Sequence, residues 1–337
     1  MMEVNNNQRI FWVDWAKSIC MFLVVLGHCH IRESEQFVTQ HIYSFHILLF
    51  FFLSGLLCKR HLNKESVVKD IRFLILPYFT YGLLIIAFNM LCSQMFDAEI
   101  IWHKIKALSI GLDAGIGPIW FLLALFICKQ IFMIISLVKK YNMYLYCFIV
   151  FLSLFPILFI SSFHINLPFF SDSALCGLPF FIIGNESKSL MRDLKHINKF
   201  WQLVLAVLLG LVSIVLCKMN GFVAIANCII GNSIILYYTN ALLAIISVIL
   251  FCRQLFNINL HFIRVTSYGS IVTLGLHGFF LTFLNYYVPS FLGFYSSTYS
   301  IHIALVYSII VYIACYMIII HVADKMPFLF GVKGHCS

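Results

Sequence analysis

The sequence predicts an all-α membrane protein, a single domain over residues 1–337 built from about ten transmembrane helices. Hydrophobic residues make up 62% of the chain and charged residues only 10%. Soluble domains contain roughly 45–50% hydrophobic residues and about 25% charged residues. The basic residues, which give a formal net charge of +9, lie between apolar runs, so no nucleic-acid surface is expected.

Crossing a bilayer takes about 20 mainly apolar residues, and apolar runs that approach this length are predicted to be transmembrane helices. The predicted spans are 11–30, 41–58, 73–92, 118–138, 142–163, 174–187, 200–217, 233–252, 268–288 and 300–321. The sixth contains Pro179, which predicts a kink or tilt. Residues 218–232 are apolar but rich in Asn and Gly, which leaves a re-entrant segment or an interfacial loop open. Helical spacing from Ala98 to Leu108 predicts a short interfacial helix.

The distribution of Lys and Arg predicts that both termini lie in the cytoplasm, because cytoplasmic loops collect these residues. With the N-terminus inside, the cytoplasmic segments contain 16 of the 22 basic residues. The outer segments contain four, namely Arg32, Lys104, Lys106 and Lys218. The first apolar run includes Asp14 and Lys17 and is followed by no small-residue cleavage site, so a retained span and no cleavable signal peptide are expected.

The 12 cysteines are predicted to be packing residues, since most lie in or beside apolar runs and no CxxC pair occurs. Charged residues at membrane depth are more informative, because they are costly and usually functional. Asp14 and Lys17 are three residues apart and can pair on one helix face. Lys17 and His28 share that face, roughly 16 Å apart, which would form a polar track. Alternatively, Asp14 and Lys17 only anchor the span at the interface.

A second histidine, His46, lies one turn into the second apolar run. The connection between the first two spans is short, so His28 and His46 are expected to meet near the outer surface. Imidazole can act there as a general base near neutral pH, although a lone intramembrane histidine is more often a structural, hydrogen-bonded residue. No third ligand has convincing spacing, so no metal site is predicted.

Three further segments contain candidate residues. Ser270 and His277, seven residues apart, share a face of the ninth span. Trp120 opens the fourth span, where an interfacial aromatic is common. Arg72 precedes the third span as a cytoplasmic anchor that could also meet a phosphate.

Together these residues resemble acyltransferase family 3, polytopic enzymes that acylate, mostly acetylate, carbohydrate hydroxyls. Lys17, ten intervening residues and His28 are similar to its first-span signature, with Lys in place of the usual Arg, as in the fucose 4-O-acetylase-like branch. Residues 45–55 resemble its second-span stretch, with Leu48 where Pro is usual. Further landmarks follow in order at 72–78, 117–123, 178–184 and 270–277, where Leu274 stands at a position that is often aromatic.

The resemblance implies an O-acetyltransferase that moves an acetyl group from acetyl-CoA to a sugar hydroxyl of a surface polysaccharide, lipopolysaccharide or glycan precursor. It implies His28 as general base or transient acetyl carrier, with His46 assisting. Lys17, paired with Asp14, would stabilise charge on the donor or hold its phosphates, and Arg72 would attract acetyl-CoA. The expected acceptor contacts are Trp120, Ser270 and His277.

The expected partners are acetyl-CoA, a carbohydrate or lipid-linked glycan acceptor and the lipid bilayer, with a homo-oligomer left open. The expected location is a bacterial inner membrane. A membrane-embedded Asp, Lys and His set also fits a proton-coupled transporter of a small solute, which is the main alternative. A non-enzymatic scaffold is the third.

Overall fold

The computed structural model describes residues 10–58, 63–94, 97–112, 115–163, 167–193, 198–255, 258–288, 298–323 and 325–326. Across these residues the chain is a bundle of helices, and its only extended pairing consists of two isolated bridges. The predicted all-α membrane class is therefore confirmed.

Helices in the first half of the chain run in this order: α1 Phe11–Gly27, α2 Phe37–Tyr43, α3 His46–Leu57, α4 Lys64–Asp70, α5 Leu76–Ser93, α6 Ala98–Ile110, α7 Trp120–Tyr141, α8 Met143–Leu152 and α9 Pro156–Phe163. The second half contains α10 Ser171–Glu186, α11 Lys188–Asp193, α12 Lys199–Asn220, α13 Ile234–Gln254, α14 His261–Tyr268, α15 Ser270–Thr282 and α16 Ile301–Ile318. Single π-helical turns continue α4, α15 and α16 over Ile71–Ile75, Phe283–Tyr287 and Ile319–Ala323.

Seven helical stretches of the described chain are long and apolar enough to cross a membrane, and an eighth candidate is the pair α14 and α15. Predicted spans one and six coincide with the shorter helices α1 and α10, of 17 and 16 residues. Each predicted span therefore falls on helix, while the number of crossings stays a prediction. Pro179 lies inside α10.

Two predicted spans are not straight helices. The span 142–163 is interrupted between Leu152 and Pro156, because proline lacks the backbone N–H and clashes with the preceding turn. The span 268–288 begins at a bend of 84° around Gly269, where α14 joins α15. A Cβ at Gly269 would lie 2.4 Å from a side-chain carbon of Ile319, so this bend packs too tightly for a larger residue.

The segment after α12 is an irregular hairpin from Gly221 to Ser233. Ala224 and Ile229 exchange two backbone hydrogen bonds of 2.9 and 3.0 Å. The Asn220 side chain donates to the Ile230 carbonyl at 2.7 Å and accepts from the Ser233 N–H at 3.0 Å. Several backbone polar groups of this segment therefore find partners within the protein, while the choice between a re-entrant segment and an interfacial loop stays a prediction.

A helix, α6, is present between the third and fourth spans where an interfacial helix is expected, and its place at the membrane interface stays a prediction. Asp97 caps it by accepting a hydrogen bond of 2.7 Å from the Glu99 N–H. Trp102 on this helix is 64% exposed.

The orientation of the whole bundle stays a prediction. It rests partly on basic residues that lie outside the described part of the chain, namely Arg9, Lys59, Arg60, Lys195 and Lys333.

Helices α3 and α10 cross at very close range, and glycine makes the approach feasible. A Cβ on Gly55 would lie 1.9 Å from the Phe181 carbonyl oxygen, and one on Gly184 would lie 2.1 Å from that of Phe52. Small residues permit such contacts between membrane helices. The Asn185 amide also donates to the Gly55 carbonyl at 2.8 Å. Helix α3 is therefore held firmly against α10.

Candidate active site

A cavity of about 520 Å³ lies between α1, α3, α4, α7 and the α14–α15 bend. It reaches the protein surface at α4, where Lys69 is exposed. Its charged lining residues among those described are three lysines and two aspartates, namely Asp14, Lys17, Lys69, Asp70 and Lys129. The excess of positive charge suits an anionic ligand.

Asp14 and Lys17 both line this cavity, as one-face spacing on α1 allows. Asp14 is buried, and one of its carboxylate oxygens accepts a hydrogen bond of 2.7 Å from the Ser267 hydroxyl at the end of α14. The bend at Gly269 then places Ser270, the first residue of α15, on the same wall. Asp14 and Lys17 at this end of α1 therefore face the interior of the bundle.

An ion pair that the sequence analysis did not identify crosses the cavity wall between α7 and α4. The Lys129 ammonium contacts the Asp70 carboxylate, which also accepts a hydrogen bond of 3.4 Å from the Gln130 amide. In the sequence, Lys129 lies within the predicted span 118–138, and nothing there identifies its partner. The two residues are 59 positions apart, so no local spacing pairs them.

A separate cluster of histidines lies beyond the cavity. The His28 and His277 rings meet edge to face with centroids 5.0 Å apart. Tyr43 stands between His28 and His46, with ring centroids 5.9 and 5.3 Å away. The Tyr43 hydroxyl donates to the Gly27 carbonyl at 2.9 Å, which holds the ring in place. We name His28, Tyr43, His46 and His277 the imidazole cluster.

Each histidine of the cluster is held in one tautomer by a backbone carbonyl one helical turn earlier in the chain. In all three rings Nδ1 lies within hydrogen-bonding distance of the backbone carbonyl four residues earlier. The carbonyls belong to Val24, Ile42 and Thr273, at 2.8, 2.7 and 2.8 Å. Because a carbonyl can only accept, Nδ1 is the protonated nitrogen and Nε2 of the neutral ring is left as the basic atom. The His277 Nε2 is buried and has no hydrogen-bond partner among the described residues.

The cavity stops short of the cluster, and no histidine is among its lining residues. Phe50, one turn after His46 on α3, lines it, and so does Leu274, one turn before His277 on α15. On α3 and α15, about one helical turn therefore separates the lysine-lined cavity from the imidazole cluster.

The remaining predicted site residues lie at different places. Arg72 is exposed on the π-helical turn after α4 and is not among the cavity-lining residues. Trp120 packs against Phe121 and Phe170, with ring centroids 6.3 and 6.1 Å away, and lies outside both the cavity and the cluster. The expected acceptor contacts thus do not converge, since Ser270 lines the cavity and His277 joins His28.

The fold is that of a multi-pass membrane protein, and its interior contains a lysine-lined cavity and a cluster of buried histidines. The family model described as an acyltransferase domain, that of acyltransferase family 3, matches residues 10–320. The chain belongs to this family and is a membrane acyltransferase. No curated protein and no solved structure is significantly similar to it.

Proposed function

We propose that the protein transfers an acetyl group from acetyl-CoA to a carbohydrate hydroxyl of a surface polysaccharide, lipopolysaccharide or glycan precursor. The observation that carries the proposal is the alignment, in one bundle, of a lysine-lined cavity with an imidazole cluster one helical turn beyond it. Acetyl-CoA fits this arrangement, because the phosphates at one end are anionic and would lie among the lysines. The reactive acyl group at the other end is small and neutral.

In this proposal the donor enters from the cytoplasm at α4. Lys69 is exposed there and lines the cavity, while Lys17 stands deeper beside Asp14. Lysine ammonium groups bind phosphates as point charges, and Arg72 adds positive charge at the surface nearby. The hydrogen bond from Ser267 holds the Asp14 carboxylate, which lines the same cavity as Lys17.

Proton transfer is assigned to His28. Its Nε2 removes the proton from the sugar hydroxyl as the oxygen attacks the thioester carbonyl, since a hydroxyl is a poor nucleophile without a base. The new C–O ester bond forms, the C–S bond breaks, and the imidazolium returns the proton to the sulfur of CoA. His277 and His46 flank the reacting ring, the latter across Tyr43.

The test is transfer of radiolabelled acetyl groups. Membranes that contain the wild-type protein, His28→Ala or His103→Ala receive labelled acetyl-CoA and host glycan extract. His103 is a matched control because it is exposed on α6, beside Glu99 at 3.8 Å. We expect base-labile label in glycan with the wild type and His103→Ala, and a loss of at least a hundredfold with His28→Ala.

Equal labelling by all three proteins would remove His28 from the chemistry. Absence of labelling by the wild type, together with movement of an unmodified solute across the membrane, would support the transporter instead.

A further inference from the structure

Four apolar side chains close the cavity on the side that faces the imidazole cluster. Met21, Phe50, Phe121 and Leu274 come from α1, α3, α7 and α15, and all four are buried while still lining the cavity. The Phe50 and Phe121 rings are 5.8 Å apart between centroids, which is a contact distance for aromatic rings. We call these four residues the apolar septum.

The septum separates two regions that the reaction has to connect. Phe50 is about one turn from His46, Leu274 is about one turn from His277, and Met21 is two turns from His28 on α1. On the other side of the septum the cavity contains Lys17 and Lys129. A ligand whose phosphates stay among the lysines can reach His28 only by extending its acyl end past the septum.

Physical chemistry restricts what can pass. The septum presents no polar group of its own, so a charged or strongly hydrated group would lose its hydration without compensation there. A short, neutral acyl thioester loses little. The size of the passage then depends on how far the Phe50 and Phe121 rings can turn aside.

We propose that the apolar septum selects the acyl group by size, passing a short acyl thioester and rejecting longer chains; this rests on the proposed acyl transfer from a CoA thioester. Phe121 is the main determinant, because its ring contacts both Phe50 and Phe51, at 5.8 and 5.2 Å. Removing it opens the constriction from two directions.

The first experiment replaces Phe121 with alanine. A single methylene in an apolar pocket changes selectivity by roughly 10–200-fold, and the lost ring exceeds one methylene. We expect the ratio of butyryl-CoA to acetyl-CoA turnover to rise at least tenfold in Phe121→Ala. The converse variant, Leu274→Phe, adds volume to the septum and should reduce butyryl transfer more than acetyl transfer.

The control is Phe132→Ala on the same helix. Phe132 is fully buried, packs against Phe181 with ring centroids 5.0 Å apart, and is not among the cavity-lining residues. It reports the effect of a lost core phenylalanine on folding. Its ratio of butyryl to acetyl turnover should equal that of the wild type.

A second readout needs no turnover. Binding of the unreactive thioethers S-ethyl-CoA and S-butyl-CoA to the detergent-solubilised full chain is measured by calorimetry. Phe121→Ala should gain affinity for S-butyl-CoA relative to S-ethyl-CoA, and Phe132→Ala should not. A shifted binding ratio without any wild-type turnover would support the septum and overturn the proposed acetyl transfer.

Unchanged chain-length ratios in Phe121→Ala, in binding and in turnover, would overturn the septum while leaving acetyl transfer intact. A wild-type protein that binds neither thioether would overturn both.

Discussion

At the scale of single residues, the site depends on charges that would be costly to bury alone. Asp70 retains only 7% of its side-chain exposure and Lys129 retains 24%, so the pair is largely removed from water. Breaking one partner of a buried pair leaves an uncompensated charge, whereas removing both is often tolerated. The wall between α4 and α7 should therefore respond differently to single and double substitutions.

We expect Asp70→Asn to destabilise the protein by about 2 kcal/mol, which is below the range for fully buried pairs because Lys129 is partly exposed. The double variant Asp70→Asn with Lys129→Met should recover most of that loss. Thermal denaturation midpoints of the purified proteins in detergent measure both effects. A double variant less stable than Asp70→Asn alone would contradict this account.

The residue scale also shows where local reasoning is sufficient. The spacing of Asp14 and Lys17 on one helix face predicts a shared environment, and both line the cavity. The spacing of Ser270 and His277 likewise predicts a common face, but the two side chains lie at different depths. The helical period specifies the face of the helix on which a residue lies. It does not specify which neighbouring helix packs against that face at a given depth in the bundle.

At the scale of elements, the very close crossing of α3 and α10 helps to position the site. Gly55 and Gly184 each face a backbone carbonyl of the other helix. These glycines belong to the family-like stretches ending at residues 55 and 184. The presence of glycine at these two positions is therefore explained by helix packing. This packing also bears on the site, because α3 contributes Phe50 and Ser54 to the cavity wall.

Gly184→Ala should force α3 and α10 apart and cost about 1–3 kcal/mol, the usual range for overpacking. Gly278→Ala is the matched control, because a Cβ there meets nothing within 4 Å. It should be neutral or slightly stabilising, as alanine is favoured over glycine inside a helix. Thermal denaturation in detergent compares the two, and equal midpoints would refute the close-approach explanation.

Two elements differ from the sequence-based expectation for identifiable reasons. Pro156 interrupts the fifth predicted span, which a hydropathy window averages over. The bend at Gly269 separates α14 from α15, although the sequence there shows no break. This bend brings Ser267 to Asp14. Neither event changes the apolar content of its segment, so composition does not reveal it.

At the scale of the whole molecule, the lysine-lined cavity and the imidazole cluster lie at different depths of the bundle, so orientation decides which side supplies the donor. The excess of Lys and Arg in alternate loops predicts that α4 faces the cytoplasm and α6 the opposite side. In the proposed acetyl transfer, this orientation would place donor entry at α4 on the cytoplasmic side.

Labelling of one introduced cysteine at a time tests this orientation. Glu65→Cys on α4 and His103→Cys on α6, both at exposed positions, are placed in a background with the exposed Cys92 and Cys147 changed to serine. In intact cells a membrane-impermeant maleimide should label the α6 cysteine several-fold more than the α4 cysteine. Inverted membrane vesicles should show the reverse, and the opposite pattern would reverse the predicted topology.

The sequence by itself determined the class of the protein, the positions of its apolar helices and its family. It could do so because lipid cannot hydrogen-bond the backbone, so in a helical membrane protein the spanning segments are mostly apolar helices. Only the tertiary structure decided that His28 meets His277, that Lys129 pairs with Asp70 and that four apolar side chains separate these groups. Such contacts join residues 59 to 249 positions apart, and they depend on how helices cross and pack, which no local pattern records.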